Sequence, residues 1–211
     1  MSKTSLLYPG YLGSIAHYAV VAQSDAIVFE TASNFIKQSY LTRCYIATAN
    51  GKQVLSIPVL RPKEKGKQLL KDVLIDYRNN WQQTHLRSIQ TAYRSSPFYE
   101  FYEDDIIPLF TKNYKFLLDF NLKAHEILME CLQLSIPSSK STVFELNPLQ
   151  YNDIRFLIDA KKEVSANFDP YFQLFDDKHG FQKNLSILDL ICMEGPNAIS
   201  FLENVDLSNL K

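Results

Sequence analysis

Two basic side chains, Lys37 and Arg43, flank Tyr40 at the entrance to a segment whose apolar residues alternate. On an extended strand, positions of one parity share a face, so the two cations project together. Lysine would act there as a mobile point charge, and arginine as a planar fork matched to phosphate or carboxylate. A half-exposed surface pair meets the same spacing, and both readings stay open. Further along, Trp81 and His85 lie four residues apart with Tyr93 two helical turns later. This sets an imidazole among apolar neighbours, either as a group that takes a proton at neutral pH or as a hydrogen-bonded core residue. Glu30 closes a short apolar run. A carboxylate there would face the ligand crevice that open α/β sheets form at their strand ends, or plain solvent. Asn184, Ser186 and Asp189 precede a last apolar run. The serine and aspartate have the spacing of a capping box, while the free N–H groups of that helix start could receive an anion.

The elements that must carry these groups follow from periodicity and turn residues. Ser5 to Tyr8 is apolar, Pro9-Gly10 breaks it, Ile15 to Ala22 is striped at helical spacing, and Asp25 to Thr31 is a short β-branched run. The pattern predicts strand, helix, parallel strand. Ser39 to Ala49, Asn50-Gly51 and Gln53 to Leu60 predict a β-hairpin, with Pro58 at an edge or strand end. Val73 to Tyr77 is expected as another short strand. Asn80 opens a helix through Tyr93 that Pro97 ends; Phe98 to Tyr102 is an aromatic stretch before Pro108, and Tyr114 to Leu132 draws a long helical stripe. Ser135 to Ser141 is expected as a turn around Pro137 and Thr142 to Glu145 as a strand, while Tyr151 to Lys162 fits helix or strand. Ser186 opens a helix that stops at Gly195, and Pro196 starts another through Glu203. The expected fold is α/β: a mixed sheet with a βαβ-like start, a β-hairpin and a largely helical second half, in one domain over residues 1–211.

Composition narrows the function classes. Twenty-two basic and twenty-three acidic side chains nearly cancel, which removes the broad positive field of a nucleic-acid binder. The basic run from Arg61 to Lys71 is expected to be a mobile, solvated loop. Cys44, Cys131 and Cys192 lie far apart among apolar neighbours, as reduced core thiols do, and the N-terminus lacks a signal-peptide core. With no apolar run of spanning length, the chain is expected to be cytoplasmic. His125 and His179 have no ligand-spaced partners, so no metal is assigned. No Walker-type loop, GxGxxG, HExxH or GxSxG occurs, and no cofactor is assigned.

Several segments together resemble the WbqC-like family. The pattern includes Pro9-Gly10-Tyr11 before a helix, and Ser24-Asp25-Ala26-Ile27-Val28. It continues with Lys37-Gln38-Ser39-Tyr40-Leu41-Thr42-Arg43, the Asn50-Gly51 turn and Ser56-Ile57-Pro58-Val59. Downstream stand Trp81, His85, Ala92-Tyr93, Pro97 and Phe98, then Tyr171, Gln173, Phe175 and Phe181 to Leu190. Between Val143 and Asn167 the resemblance is lost.

The resemblance implies a role in surface-polysaccharide or O-antigen production, with glycine or another acyl group transferred to an amino sugar. On that reading Lys37 and Arg43 bind an anionic, nucleotide-linked sugar, His85 is the catalytic base, and Tyr11, Glu30, Tyr40, Trp81, Tyr93, Asn184 and Asp189 complete the substrate site. Such an enzyme would gather Lys37, Arg43 and His85 in one pocket. A non-catalytic ligand-binding or assembly protein of the same pathway would instead scatter them and present the aromatics of Phe98 to Tyr102 to a protein partner. A carboxylate-activating ligase is a third reading. The βαβ opening faintly resembles adenylyl-transferring enzymes, but without the histidine motif those enzymes carry after the first strand.

Overall fold

The structure is a computed structural model that describes residues 3–62 and 66–210. Strand β1 (Thr4–Leu7) is buried along its last three residues. Pro9 and Gly10 end it, and Ser14 caps helix α1 (Ile15–Ala22), its hydroxyl accepting from the His17 N–H. Strand β2 (Ala26–Phe29) returns parallel to β1, with Thr4 opposite Ala26 and Leu7 opposite Phe29. The βαβ unit is therefore formed. Strands β3 (Arg43–Thr48) and β4 (Gly51–Ser56) make the antiparallel hairpin. Its turn places Gly51 at φ +94°, a conformation a side chain would resist.

The helical part follows with α2 (Trp81–Tyr93), α3 (Tyr99–Thr111) and α4 (Leu117–Cys131). Two short strands then complete the sheet: β5 (Ser138–Lys140) beside β2 and β6 (Asn152–Asp153) beside β1. The order is β5-β2-β1-β6, parallel throughout, and the hairpin stands apart from it. The chain ends with α5 (Asp176–His179), α6 (Ile187–Glu194) and α7 (Ala198–Asn204). One cluster of buried apolar side chains joins the sheet, the hairpin and the helices, with Tyr11, Tyr18, Tyr93, Tyr99, Phe29 and Phe120 fully enclosed.

Several local expectations are corrected. Val73 to Tyr77 is not a strand: Ile75 bridges Val59, whereas Leu74 bridges Phe116, so no single ladder is sustained. The aromatic stretch from Phe98 belongs to α3, whose buried residues Tyr99, Ile106, Leu109 and Phe110 fall on one helical face. Pro108 sits inside α3 near its end, where few later N–H groups depend on regular geometry. The turn expected at Ser135 to Ser141 contains β5, an edge strand of three exposed polar residues that periodicity does not reveal. Thr142 to Glu145 is irregular, and Tyr151 to Lys162 resolves into β6 and a 3-10 turn at Arg155–Ile158. Part of the basic run expected to be a loop, residues 63–65, lies outside the described residues, and Leu70–Asp72 forms a 3-10 turn.

The three cysteines are buried free thiols, pushed up in pKa by that burial. Among the described residues no helix is long and apolar enough to cross a membrane.

Candidate functional site

The chain leaves β1 toward β2 and β5 on one side and later returns to place β6 on the other, so the order reverses between β1 and β6. Helix dipoles and diverging loops make the carboxyl edge of a parallel sheet at such a point a natural crevice. Each of the four strands delivers a polar group there. Tyr8 follows β1, Glu30 follows β2, Ser141 follows β5, and Asp153 ends β6.

Glu30, Ser141 and Asp153 form one network centred on Arg155, and Tyr8 lies beside it. Its Nε and Nη2 donate to the Asp153 carboxylate at 2.8 and 2.6 Å, its Nη1 to Glu30 Oε2 at 3.3 Å, and Nη2 also to the Leu146 carbonyl at 3.2 Å. The Phe144 ring covers the guanidinium at 5.1 Å. Glu30, 1% exposed, accepts further from the Ser141 hydroxyl at 2.9 Å and the Ala32 N–H at 2.8 Å. Burial raises the Asp153 carboxyl, but its hydrogen bonds from Arg155 outweigh this and hold it below the ordinary carboxylate range. Burial lifts the Tyr8 phenol more than its bond with Ser33 lowers it, so the hydroxyl keeps its proton. One guanidinium thus bridges both acids from the same side, a fixed arrangement rather than a mobile pair.

Above this network opens a cleft of ≈ 490 Å³. Tyr8, Asp153 and Arg155 form its sheet side, and Lys37, Asp159, Lys161 and Lys162 its rim. The rim is placed by backbone bonds. Tyr40 donates to the Ile158 carbonyl at 2.9 Å, and Tyr11 donates to the Tyr40 carbonyl at 2.8 Å. The fully buried Asn121 of α4 ties two of these loops together by donating to Pro9 O and Leu41 O, each at 2.9 Å. A ligand in the cleft would meet lysine ammonium groups and carboxylates within one small space.

The residues singled out from sequence divide among several places. Glu30 stands under the cleft, held by Arg155. Lys37, in a turn and not on a strand, reaches the cleft rim and also lines a neighbouring depression of ≈ 540 Å³ that contains Arg43. His85 joins neither: it is 5% exposed, bonded through Nδ1 to the Tyr11 hydroxyl at 2.8 Å, and packed against Trp81 at 5.2 Å between centroids. Desolvation lowers its pKa to about 4. Tyr11, His85, Trp81 and Phe120 make an enclosed aromatic group.

Tyr93 and Asp189 form a separate buried set. The Asp189 carboxylate accepts from the Tyr93 hydroxyl at 3.0 Å, the Tyr171 hydroxyl at 2.5 Å and Gln173 Nε2 at 3.0 Å. Ser186 caps α6 as its spacing implies, accepting from the Leu188 N–H, but Asp189 points into the core and does not close the capping box. Asn184 and Tyr40 line a third cleft, of ≈ 710 Å³. The aromatic stretch at Phe98 to Tyr102 leaves only Phe101 strongly exposed, at 74%, while Tyr99 is buried.

Ser141, Asp153, Arg155 and Asn121 were not foreseen. A signal existed for one pair: Asp153-x-Arg155 places an aspartate two residues before an arginine, so the carboxylate can take both the backbone N–H, at 3.1 Å, and the guanidinium. The same pattern at Asp76-x-Arg78 makes the same bonds with its arginine in solvent, so the pattern marks the turn but not the site.

The start of α1, where adenylyl-transferring folds receive phosphate, is already used. Ile15 N donates to Leu185 O, Ala16 N to Asn184 Oδ1, His17 N to Ser14 Oγ and Tyr18 N to Ser14 O. Those four donors are spent within the protein.

No curated protein and no solved structure matches this chain. Residues 8–168 match the family model described as the WbqC-like protein family, a span that runs through Val143 to Asn167 and stops before Tyr171. The stretch where the resemblance was lost is therefore inside the family's domain, and the closing segment from Tyr171 to Leu190 lies beyond the match. The strands that build the crevice edge beyond β1, the Asn121 tie and the Arg155 network all fall within the matched span, and the chain belongs to the WbqC-like protein family.

Proposed function

We propose that the cleft at the carboxyl edge of the sheet binds a nucleotide-linked amino sugar, and that the protein transfers glycine or another acyl group to the sugar amine in surface-polysaccharide assembly. The observation that carries this reading is the convergence of four strand ends on the Arg155 network beneath a cleft rimmed by both signs of charge. Lys37, Lys161 and Lys162 suit the phosphates. Asp159 uses Oδ1 to accept from the Lys161 N–H at 3.0 Å; Oδ2, with no protein partner among the described residues, suits the ammonium. Arg155, already spent on two carboxylates, fixes the floor. The expected gathering of Lys37, Arg43 and His85 in one pocket is not met: His85 takes a packing role in this reading, because its Nδ1 is bonded and its ring is enclosed, and no base is assigned in its place. Small-ligand sites of this kind bring a few polar groups to a preformed concavity.

A second reading has its own observation. Val143, Leu146 and Leu149 are 67%, 75% and 97% exposed beside the same edge, and exposed apolar side chains gathered in one segment suit a pathway-protein partner.

Calorimetric titration with UDP-glucosamine and UDP-glucose separates the two. The transferase reading expects the amine-bearing sugar to bind about ten-fold tighter, the gain of one charge-assisted contact, with the preference lost in Asp159→Asn. Equal affinity for both sugars, or none for either, favours the assembly reading.

A further inference from the structure

The third cleft, between the hairpin and the C-terminal segment, has chemistry that the first reading does not use. Tyr45 on β3 and Lys52 on β4 share the outer face of the hairpin, since Ala47 pairs with Lys52 and Tyr45 with Val54. The Lys52 ammonium stands 4.7 Å from the Tyr45 ring centroid, and Tyr40 meets Tyr45 edge-on at 5.8 Å. Across the opening, Asn167 is bridged to Asp206, and Lys183 and Asn184 close the base. Asn184 commits Oδ1 to the Ala16 N–H; its amide N–H groups have no protein partner among the described residues. Aromatic faces beside amides and ammonium groups are what a sugar ring with an attached anion requires: the ring's C–H face packs on the tyrosine, its hydroxyls bond to the amides, and the anion meets lysine.

The cleft measures ≈ 710 Å³ and shares Lys161 and Lys162 with the first cleft. Four lysines line it against the acids Glu163 and Asp206, so the balance of charge is positive. From this juxtaposition we infer that the hairpin cleft is a second ligand site, which takes a phosphorylated or carboxylated sugar next to the ligand of the first cleft. The inference rests on the proposed function only for its consequence, that two substrates would be held side by side with Lys161 and Lys162 between them. The binding itself stands on the hairpin residues.

The test is calorimetric titration of glucose 1-phosphate into the wild type and into Lys52→Gln, Tyr45→Leu and Lys37→Gln, each shown folded by circular dichroism, with galacturonate as the carboxylated probe. The inference expects affinity for at least one probe to fall by about ten-fold in Lys52→Gln and in Tyr45→Leu and to hold in Lys37→Gln. Weakening in Lys37→Gln alone would put the sugar in the first cleft and overturn the inference while leaving the proposed function intact. Weakening in Lys52→Gln and Tyr45→Leu, in a protein that ignores UDP-glucosamine, would support the inference and remove the first reading. Binding of neither probe overturns the inference.

Discussion

Arg155 decides the character of the crevice, because Glu30 beneath it is almost fully buried and has no other cationic partner among the described residues. Replacing the arginine strands that charge, and breaking a buried pair from one side costs about 3–5 kcal/mol. Arg155→Ala is expected to lower the denaturation midpoint steeply, whereas Arg155→Ala with Glu30→Gln should recover part of the loss, as urea titration of the three proteins would show. At Asp189 the expected effect is smaller. Tyr171→Phe removes one of three donors and should cost about 1–3 kcal/mol without altering ligand affinity in the first cleft. At this scale the sequence was partly legible. Glu30 and Lys37 stood out by type and position, and both border the crevice. Arg155 did not, because an arginine two residues after an aspartate in an irregular stretch reads as an ordinary surface turn, and its burial depends on β1 and β2, more than a hundred residues away. His85 was conspicuous for the opposite reason: a histidine on an apolar helical face suggests chemistry, but the hydroxyl that satisfies it, Tyr11, lies 74 positions earlier.

The elements with strong local signals were read from sequence: α1 from its apolar stripe, the Asn50-Gly51 hairpin, α2, α4, and α6 from its Ser186 cap to Gly195. Those missed have weak signals or depend on distant partners. Strand β5 has three exposed polar residues and is a strand only because β2 offers its edge. Helix α3 hides behind Pro108 and a run of aromatics. Gly195 shows how closely these elements meet. It lies at φ +53°, and a Cβ there would stand 2.5 Å from the Phe98 ring at the start of α3. Gly195→Ala combines a strained backbone with an overlap, so a destabilisation of about 2 kcal/mol or more is expected, measurable as a drop in melting temperature. No drop would show that α3 shifts freely against α6.

Over the whole molecule, three enclosed histidines set the response to acid. Desolvation lowers His17 to about 3 and His85 and His125 to about 4, with His125 adding to the effect at His17. In the unfolded chain each has a pKa near 6.5. Above that value both states are neutral and the histidines contribute no pH dependence. Below it the unfolded chain binds protons that the folded chain refuses, so stability falls as pH drops from about 6.5 toward 4. Each pKa unit of depression corresponds to about 1.4 kcal/mol of stability lost across the window. Urea midpoints at pH 7, 6 and 5 should decline progressively, and His125→Gln should flatten the decline. A midpoint constant over that range would contradict the burial of these rings.

In the proposed function the carboxyl edge of the parallel sheet, and not the His85 region, receives the ligand. The most direct measurement is the dissociation constant of UDP-glucosamine for the wild type, for Lys37→Gln with Lys161→Gln, and for His85→Gln, each shown to be folded. The double lysine change is expected to weaken binding about a hundred-fold, one charge-assisted contact for each lysine, and His85→Gln to bind as the wild type does. Binding that survives the lysine changes and disappears in His85→Gln would contradict that placement of the ligand.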